Sequence, residues 1–580
     1  MSNSLFRTKK IANILAEGSD DTHGGGGLKR VLTVRDLTFF GIAAILGAGS
    51  FSSLGYAVFH GGPGVVVLFV ITGIACAFTA FCYSEFASRI PVAGSAYTYA
   101  YASFGELFAW VIGWALIMEY SIGNIYVAYS WSDYFTSLMG KMNVHIPEYL
   151  CTSYMEAKHA IERGSTNVDE LAAWNNAPVV GGLRMILDLP ALIINFLITY
   201  LVYRGIKESR NFSNVMVVLK IAVVALIIIV GGYLVFSNGL TPNWTPPNDE
   251  GVKAFMPNGF GGVMLAVASV FFAYIGFDAV SVLAEESKNP QRDLPRGMIL
   301  SLVICTIIYI LLTLVLTGAV NYRNFDGVGD PLAFIFETQN LNVGWMQFLV
   351  AVVAVVAMTS VLLVFQMGQP RIWMSMSRDG LMPPVFQKIH PKFKTPSFAT
   401  IITGLVVGVP ILFTDKTFVL DFTSIATLFA FVLVCGGVLL IPRKEKLGGR
   451  FHLPYINGQY IFPLIVIASI AGAWMLSKTY FTNLTNFDFS ADADYVAGKK
   501  TFMDMAIPNI SLIIFWISAV LLAVFAFIKK YSLIPLMGVI TCMYLLTGMS
   551  KSNWVWFIGW LILGIIIYFL YGYKKSKLAS

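Results

Sequence analysis

Two glycine-interrupted stretches set the architecture of this chain: Gly41-Ile-Ala-Ala-Ile45-Leu-Gly47-Ala48-Gly49-Ser50-Phe51 and Phe271-Phe-Ala273-Tyr274-Ile-Gly276-Phe277-Asp278. Each lies inside an apolar segment long enough to cross a bilayer. Glycine lowers the cost of unwinding a helix in mid-membrane, and unwinding leaves N–H and C=O groups free for a ligand. The N-terminus of a half-helix carries partial positive charge and suits a carboxylate. Glycines in membrane helices also serve as close-packing contacts. Spacing alone leaves both readings open.

Outward from these stretches, the chain reads as a succession of bilayer spans. A span needs about 20 apolar residues, and about fourteen candidates fit that length. They lie near 37–59, 64–88, 105–138, 185–203, 212–236, 259–284, 296–320, 345–370, 397–414, 418–442, 459–479, 508–528, 532–549 and 553–573. The two interrupted stretches fall in spans 1 and 6, which open two successive groups of five. Paired interruptions in corresponding positions point to a midplane site between inverted repeats, as in secondary transporters.

Composition agrees. Of 580 residues, 57% are hydrophobic and 12% charged, with a mean hydropathy of +0.72. Soluble domains carry about 25% charged residues, so soluble enzymes, nucleic-acid-binding proteins and disordered scaffolds are excluded. With the N-terminus placed inside, 27 of the 39 Lys and Arg fall on inner segments and 11 on outer ones. The positive-inside rule then puts both termini in the cytoplasm of a plasma membrane protein. Residues 1–35 read as a polar tail without a cleaved signal peptide, with Leu5, Phe6, Ile11, Ile14 and Leu15 on one face of an interfacial helix and a tether at 24–27. The outer loop at about 139–184 is expected to form a small helix pair, and a second long outer loop covers about 480–507.

Enzyme chemistry has no visible seat. The six histidines fall in tails, loops or span ends, without ligand spacing, and the six cysteines are scattered without a CxxC. No metal and no cofactor is expected, and the cysteines read as small buried hydrophobes. Lys220 is the sharpest single residue, alone among apolar neighbours in span 5. A charged lysine at mid-helix costs on the order of 2.5–3.5 kcal/mol on the lenient scale, so it must be paired, hydrated through a cavity, or neutral; snorkelling to the inner face is the bland alternative. Glu119 in span 3 and Asp278 after the span 6 interruption are the mid-membrane carboxylates. Either could meet a substrate ammonium, sit in a hydrated vestibule, or satisfy freed backbone donors. Glu85, Glu285 and Glu286 sit at inner helix ends.

These residues resemble a known family. Gly47-Ala-Gly49-Ser-Phe51, Tyr83-Ser-Glu85-Phe-Ala-Ser-Arg89-Ile-Pro91-Val-Ala-Gly94-Ser95-Ala-Tyr97, and Ala273-Tyr-Ile-Gly276-Phe277-Asp278 followed by Glu285-Glu286-Ser-Lys288-Asn289-Pro290 are similar to the cationic amino acid transporters of the amino acid–polyamine–organocation superfamily. Met376-Ser-Arg378-Asp379-Gly380 and His390-Pro-Lys-Phe-Lys-Thr395-Pro396 match its span 8–9 loop. One departure is Ser50, where the family usually has Ile.

The resemblance implies an all-α polytopic membrane protein with a LeuT-like 5+5 inverted repeat, discontinuous helices 1 and 6, and accessory helices. The first repeat is expected over 36–237, the second over 258–442, accessory helices over 443–573 and a short tail over 574–580. It further implies amino acid transport, with Ile45, Gly47, Ala48, Gly49 and Ser50 and Phe271, Ala273, Tyr274, Gly276 and Phe277 around the substrate. The N–H groups of Ala48, Gly49 and Ser50 would hold its carboxylate, and the carbonyls of Ala273, Tyr274 and Gly276 its ammonium. Glu119 could border the site, and Phe365 is expected to face it beside Phe277 and Met264. Lys220 matches the span 5 lysine that replaces a sodium ion in proton-coupled relatives. The expected partners are an amino acid, protons and the lipid bilayer, and no nucleic acid, with neutral substrates slightly favoured over cationic ones. An exchanger without proton coupling, a cationic importer and a non-transporting sensor are the alternatives; nothing in the sequence sets an oligomeric state.

Overall fold

The computed structural model describes residues 7–9, 32–47, 49–90, 95–162, 168–205, 210–248, 251–281, 287–393, 395–440, 451–490 and 500–578. The interfacial helix, the tether at 24–27, Ala48, Glu285, Glu286 and the basic segment 443–450 lie outside the described residues.

The chain is all-α and polytopic, and every expected span has a helix or a pair of half-helices. Span 1 is α1 (Val34–Ile45) and α2 (Leu54–Gly61), joined through a bend at Leu46 and Gly47 and a π-helical turn at Gly49–Ser53. Next come α3 (Val65–Arg89), the short α4 (Ser95–Ser103) and α5 (Glu106–Lys141). The long loop after α5 folds as α6 (Tyr154–Glu162), α7 (Val168–Asn175) and a hairpin of β1 (Val179–Val180) and β2 (Leu183–Arg184). Spans 4 and 5 are α8 (Leu189–Arg204) and α9 (Arg210–Ser237). Span 6 is α10 (Gly259–Leu265) and α11 (Val267–Phe272), followed by turns through Phe277.

The second half continues with α12 (Pro290–Ala319), the outer turn α13 (Pro331–Phe334), α14 (Gly344–Arg378), α15 (Ser397–Ile411) and α16 (Lys416–Leu440). The accessory helices are α17 (Gly458–Leu476), the short α18 (Tyr480–Thr485), α19 (Phe502–Lys529), α20 (Leu533–Leu546) and α21 (Lys551–Ile567). Helix α12 begins before the expected 296, because Pro290 fits the first helical turn, where no N–H is needed. Helix α14 runs past 370 to Arg378 and carries Pro370 inside it.

Local chemistry sets several of these ends. The Thr33 N–H donates to the Asp36 carboxylate at 2.9 Å, closing the first turn of α1. Asp188 caps α8, accepting from the Ala191 N–H at 3.0 Å and from Ser132 Oγ at 2.6 Å. In the core, α5 lies along α14 and α16, while α12 lies along α1 and α3. Phe462, Phe515 and Leu536 build a second apolar cluster between α17, α19 and α20. Helix α21 covers α5 through indoles: Trp114 stacks on Trp560 with centroids 4.6 Å apart, and Trp110 Nε1 donates to Gly564 O at 2.9 Å.

The two faces are tied differently. At the start of α5 and the end of α14, the buried Glu106 carboxylate accepts from Tyr568, Tyr101 and Ser576, with Arg7 at 3.8 Å. Asp379 takes Lys9 Nζ at 2.8 Å and the Tyr97 hydroxyl at 2.6 Å. At the opposite face, Lys416 pairs with Asp133, and His159 of α6 lies 3.4 Å from Asp415.

Asp330, in the outer loop before α13, is pushed up to about 6 by loss of surrounding water, with Glu337 and Asp133 adding to the effect and Ser137 and Lys141 opposing it. Its folded value lies above the ordinary value of about 3.9, so its contribution to stability is complete below about pH 4 and is lost as pH rises through about 6. Asp330→Asn should therefore flatten the pH 4–6 slope of the melting temperature and stabilise the protein at pH 7 by on the order of 1 kcal/mol, allowing for partial exposure. Fluorescence melts in detergent across that range check it, and an unchanged slope refutes it.

Candidate functional site

The two interruptions touch each other. A Cβ built on Gly49 would lie 2.5 Å from Ala273 Cα, and one on Gly276 would lie 3.0 Å from the carbonyl carbon of Ala44. Gly276 also holds φ +117°, which side-chain-bearing residues rarely adopt. Close packing is thus met at both glycines: the breaks are where the backbones of spans 1 and 6 touch.

Unwinding changes where the backbone hydrogen bonds go. In a continuous helix the Gly47 N–H would donate to Ala43 O. Here it turns back to Ile45 O at 2.9 Å. Ala43 O instead accepts from Lys220 Nζ of α9 at 3.3 Å. Lys220 is 1% exposed, so it points into the protein at the end of α1 and does not snorkel to the inner face. Gly47 O receives the Ser50 N–H and the Phe51 N–H, both at 3.1 Å, and Ser50 Oγ at 3.0 Å. The Ser50 hydroxyl thus caps the bend. Of the three N–H groups expected to seat a carboxylate, that of Ser50 is engaged inside the turn, Gly49 belongs to the π-helical turn, and Ala48 lies outside the described residues.

On the span 6 side, the Tyr274 N–H donates to Phe271 O at 2.9 Å and Gly276 O accepts from the Ala279 N–H at 3.2 Å. The Tyr274 ring leaves the site, its hydroxyl donating to Phe69 O at 2.8 Å. The Asp278 carboxylate lies against the N–H groups of Gly276 and Ala279 and its own, taking up donors freed by unwinding. Glu119 is buried beside it, with the Thr427 hydroxyl in reach. Spans 3 and 6 thereby bring their two carboxylates together.

The aromatic lining divides into two groups. Phe277 meets Phe431 at 5.1 Å and Tyr83 at 6.1 Å, and Phe271 meets Phe431 at 5.7 Å. Phe365 meets Tyr120 at 5.6 Å, and its ring covers Gly123. It sits on α14 against α5, with Tyr120 as a ring partner. Sequence reasoning missed Tyr309 of α12. Its Oη lies 2.8 Å from Ile45 O and 2.7 Å from Ala273 O, the carbonyls at the two breaks. A tyrosine in an apolar span carries no signal of that role.

Two half-helices broken against each other, with a buried lysine reaching the end of the first, form the arrangement expected of a membrane transporter. Comparison with known proteins gives the family. A profile of the amino acid permease family matches residues 32–488. The chain is 35% identical over 579 residues to the branched-chain amino acid permease BcaP of Bacillus subtilis, covering 100% of both. It is 39% identical over 459 residues to the methylthioribose transporter of the same organism, covering 78% of this chain and 89% of the relative. With cationic amino acid transporter 3, mitochondrial, of Arabidopsis thaliana it shares 30% over 622 residues, 100% of this chain and 96% of the relative. The chain belongs to the amino acid permease family, on the side of the cationic amino acid transporters.

Proposed function

We propose that this chain imports L-amino acids across the plasma membrane by proton-coupled symport with alternating access, both termini cytoplasmic and neutral side chains favoured over cationic ones. The observation that carries the proposal is Lys220 reaching Ala43 O at the broken end of α1. A buried amine beside a substrate seat can bind that carbonyl when protonated and release it when neutral, so proton and substrate act on the same half-helix. The proton gradient supplies the energy, and no cofactor enters. The breaks support an α-amino acid: their carbonyls suit its ammonium, and the positive end of a half-helix suits its carboxylate.

Preference for neutral side chains rests on the rings of Phe277, Phe431, Phe365 and Tyr120, since an unpaired buried charge is heavily penalised. The name of the Bacillus subtilis relative BcaP points the same way. Glu119 is the group that could reverse it. The test is uptake into proteoliposomes at two pH values, with competition by all twenty amino acids and methylthioribose. Leucine, isoleucine or alanine should outcompete arginine, and accumulation should collapse when the gradient is dissipated. If arginine wins and Glu119→Gln removes its advantage, the side-chain preference is wrong. If accumulation ignores the gradient, the protein is an exchanger.

A further inference from the structure

We propose that Tyr309 is the internal donor that holds the two broken helices together when no substrate is bound, and so governs the return of the empty carrier. The proposal rests on the breaks being the substrate seat. Tyr309 is wholly buried, and its ring is fixed by Phe69 at 5.4 Å and Tyr274 at 5.5 Å. Its Oη stands between Ile45 O at 2.8 Å and Ala273 O at 2.7 Å. Ile45 O closes the first half of span 1, and Ala273 O closes the first half of span 6.

A phenol carries one proton, so it can donate to only one of these carbonyls at a time. Ile45 O already accepts the Gly47 N–H at 2.9 Å, so the carbonyl left short when the phenol turns away is that of Ala273, and an unmet buried carbonyl is costly. A substrate ammonium brings three protons to the same region and can serve both carbonyls, completing what the phenol half satisfies. In the loaded carrier the substrate therefore bridges the breaks. In the empty carrier Tyr309 bridges these two carbonyls, beside a second tie between the spans from Ser53 Oγ to Ser269 O at 3.2 Å. Transport of substrate and return of the empty protein thus use different bridges between the same two carbonyls, which makes them separable by mutation.

Exchange never passes through the empty carrier, whereas net uptake into substrate-free vesicles must. Tyr309→Phe keeps the ring and removes the donor. Net uptake should fall about tenfold, the scale of one lost buried hydrogen bond, while exchange of labelled for unlabelled substrate stays close to wild type. Substrate should still raise the melting temperature of the variant. Tyr129→Phe is the matched control, because its hydroxyl also stands between two carbonyls, Ile411 O at 2.8 Å and Thr414 O at 2.7 Å, away from the breaks. It should lower stability without separating exchange from net uptake. Net uptake and exchange that fall together, or that both remain normal, overturn the proposal, as does a Tyr309→Phe protein that loses its fold with and without substrate. Failure of the seat itself shows elsewhere, as normal binding by variants enlarged at Gly49 or Gly276.

Discussion

Lys220→Ala is expected to abolish gradient-driven accumulation while leaving substrate binding measurable. The truncation removes the ammonium from Ala43 O, whose helical donor has already turned away to Ile45 O. Losing one partner of a buried hydrogen bond costs about 1–3 kcal/mol, enough to bias the two access states by a large factor without unfolding a protein of this size. The amine is also the group that could take up and release a proton beside the seat. Both effects act at the end of α1, while Tyr309 still reaches the Ala273 carbonyl of span 6, so binding should survive. Uptake by the variant at two external pH values checks this. Accumulation that still follows the pH gradient as in the wild type would show that the proton travels by another route.

Gly276→Ala should remove substrate binding altogether. The added methyl group would meet Ala44 Cβ at 2.9 Å and the Ala44 backbone at about the same distance. It must also hold φ +117°. Strain of that kind costs about 1–3 kcal/mol, and overpacking against fixed backbone adds about 1–3 kcal/mol. The cheapest relief is to move the two breaks apart, which dismantles the seat. Gly49→Ala should act alike, because its methyl group would face Ala273 Cα at 2.5 Å. Substrate-induced thermal stabilisation and binding by scintillation proximity measure the loss. Wild-type affinity in either variant would place the seat elsewhere.

Most of the spans were legible because apolar length is a one-dimensional signal. Lys220 was legible for the same reason: one charge in an apolar span has a cost that sequence alone reveals. The glycines gave the level of the breaks, but not that Gly49 would face Ala273 while Gly276 faces Ala44; that reciprocity depends on how the half-helices cross. Tyr309 was hidden because its importance lies in two carbonyls, and carbonyls belong to every residue. The ties of Glu106 and Asp379 were equally silent, since beyond Tyr101 and Tyr97 their partners come from 7–9 and 568–577, segments far away in the chain. The placement of Phe365 against Tyr120 turned on helix rotation, which a span 8 rich in apolar residues on every side does not specify.

The indole contacts between α5 and α21 also bear on biosynthesis. Trp110 and its acceptor Gly564 are 454 positions apart, so a ribosome adding about 5–20 residues per second makes α5 roughly half a minute to a minute and a half before its cover exists. During that interval the Trp110 and Trp114 N–H groups face lipid or the insertion machinery, and the Glu106 carboxylate at the same helix end has yet to meet Tyr568. Damage to α21 should then be felt first in the yield of inserted protein, through premature degradation of chains waiting with an uncovered third span, and only afterwards in the behaviour of molecules that reach maturity.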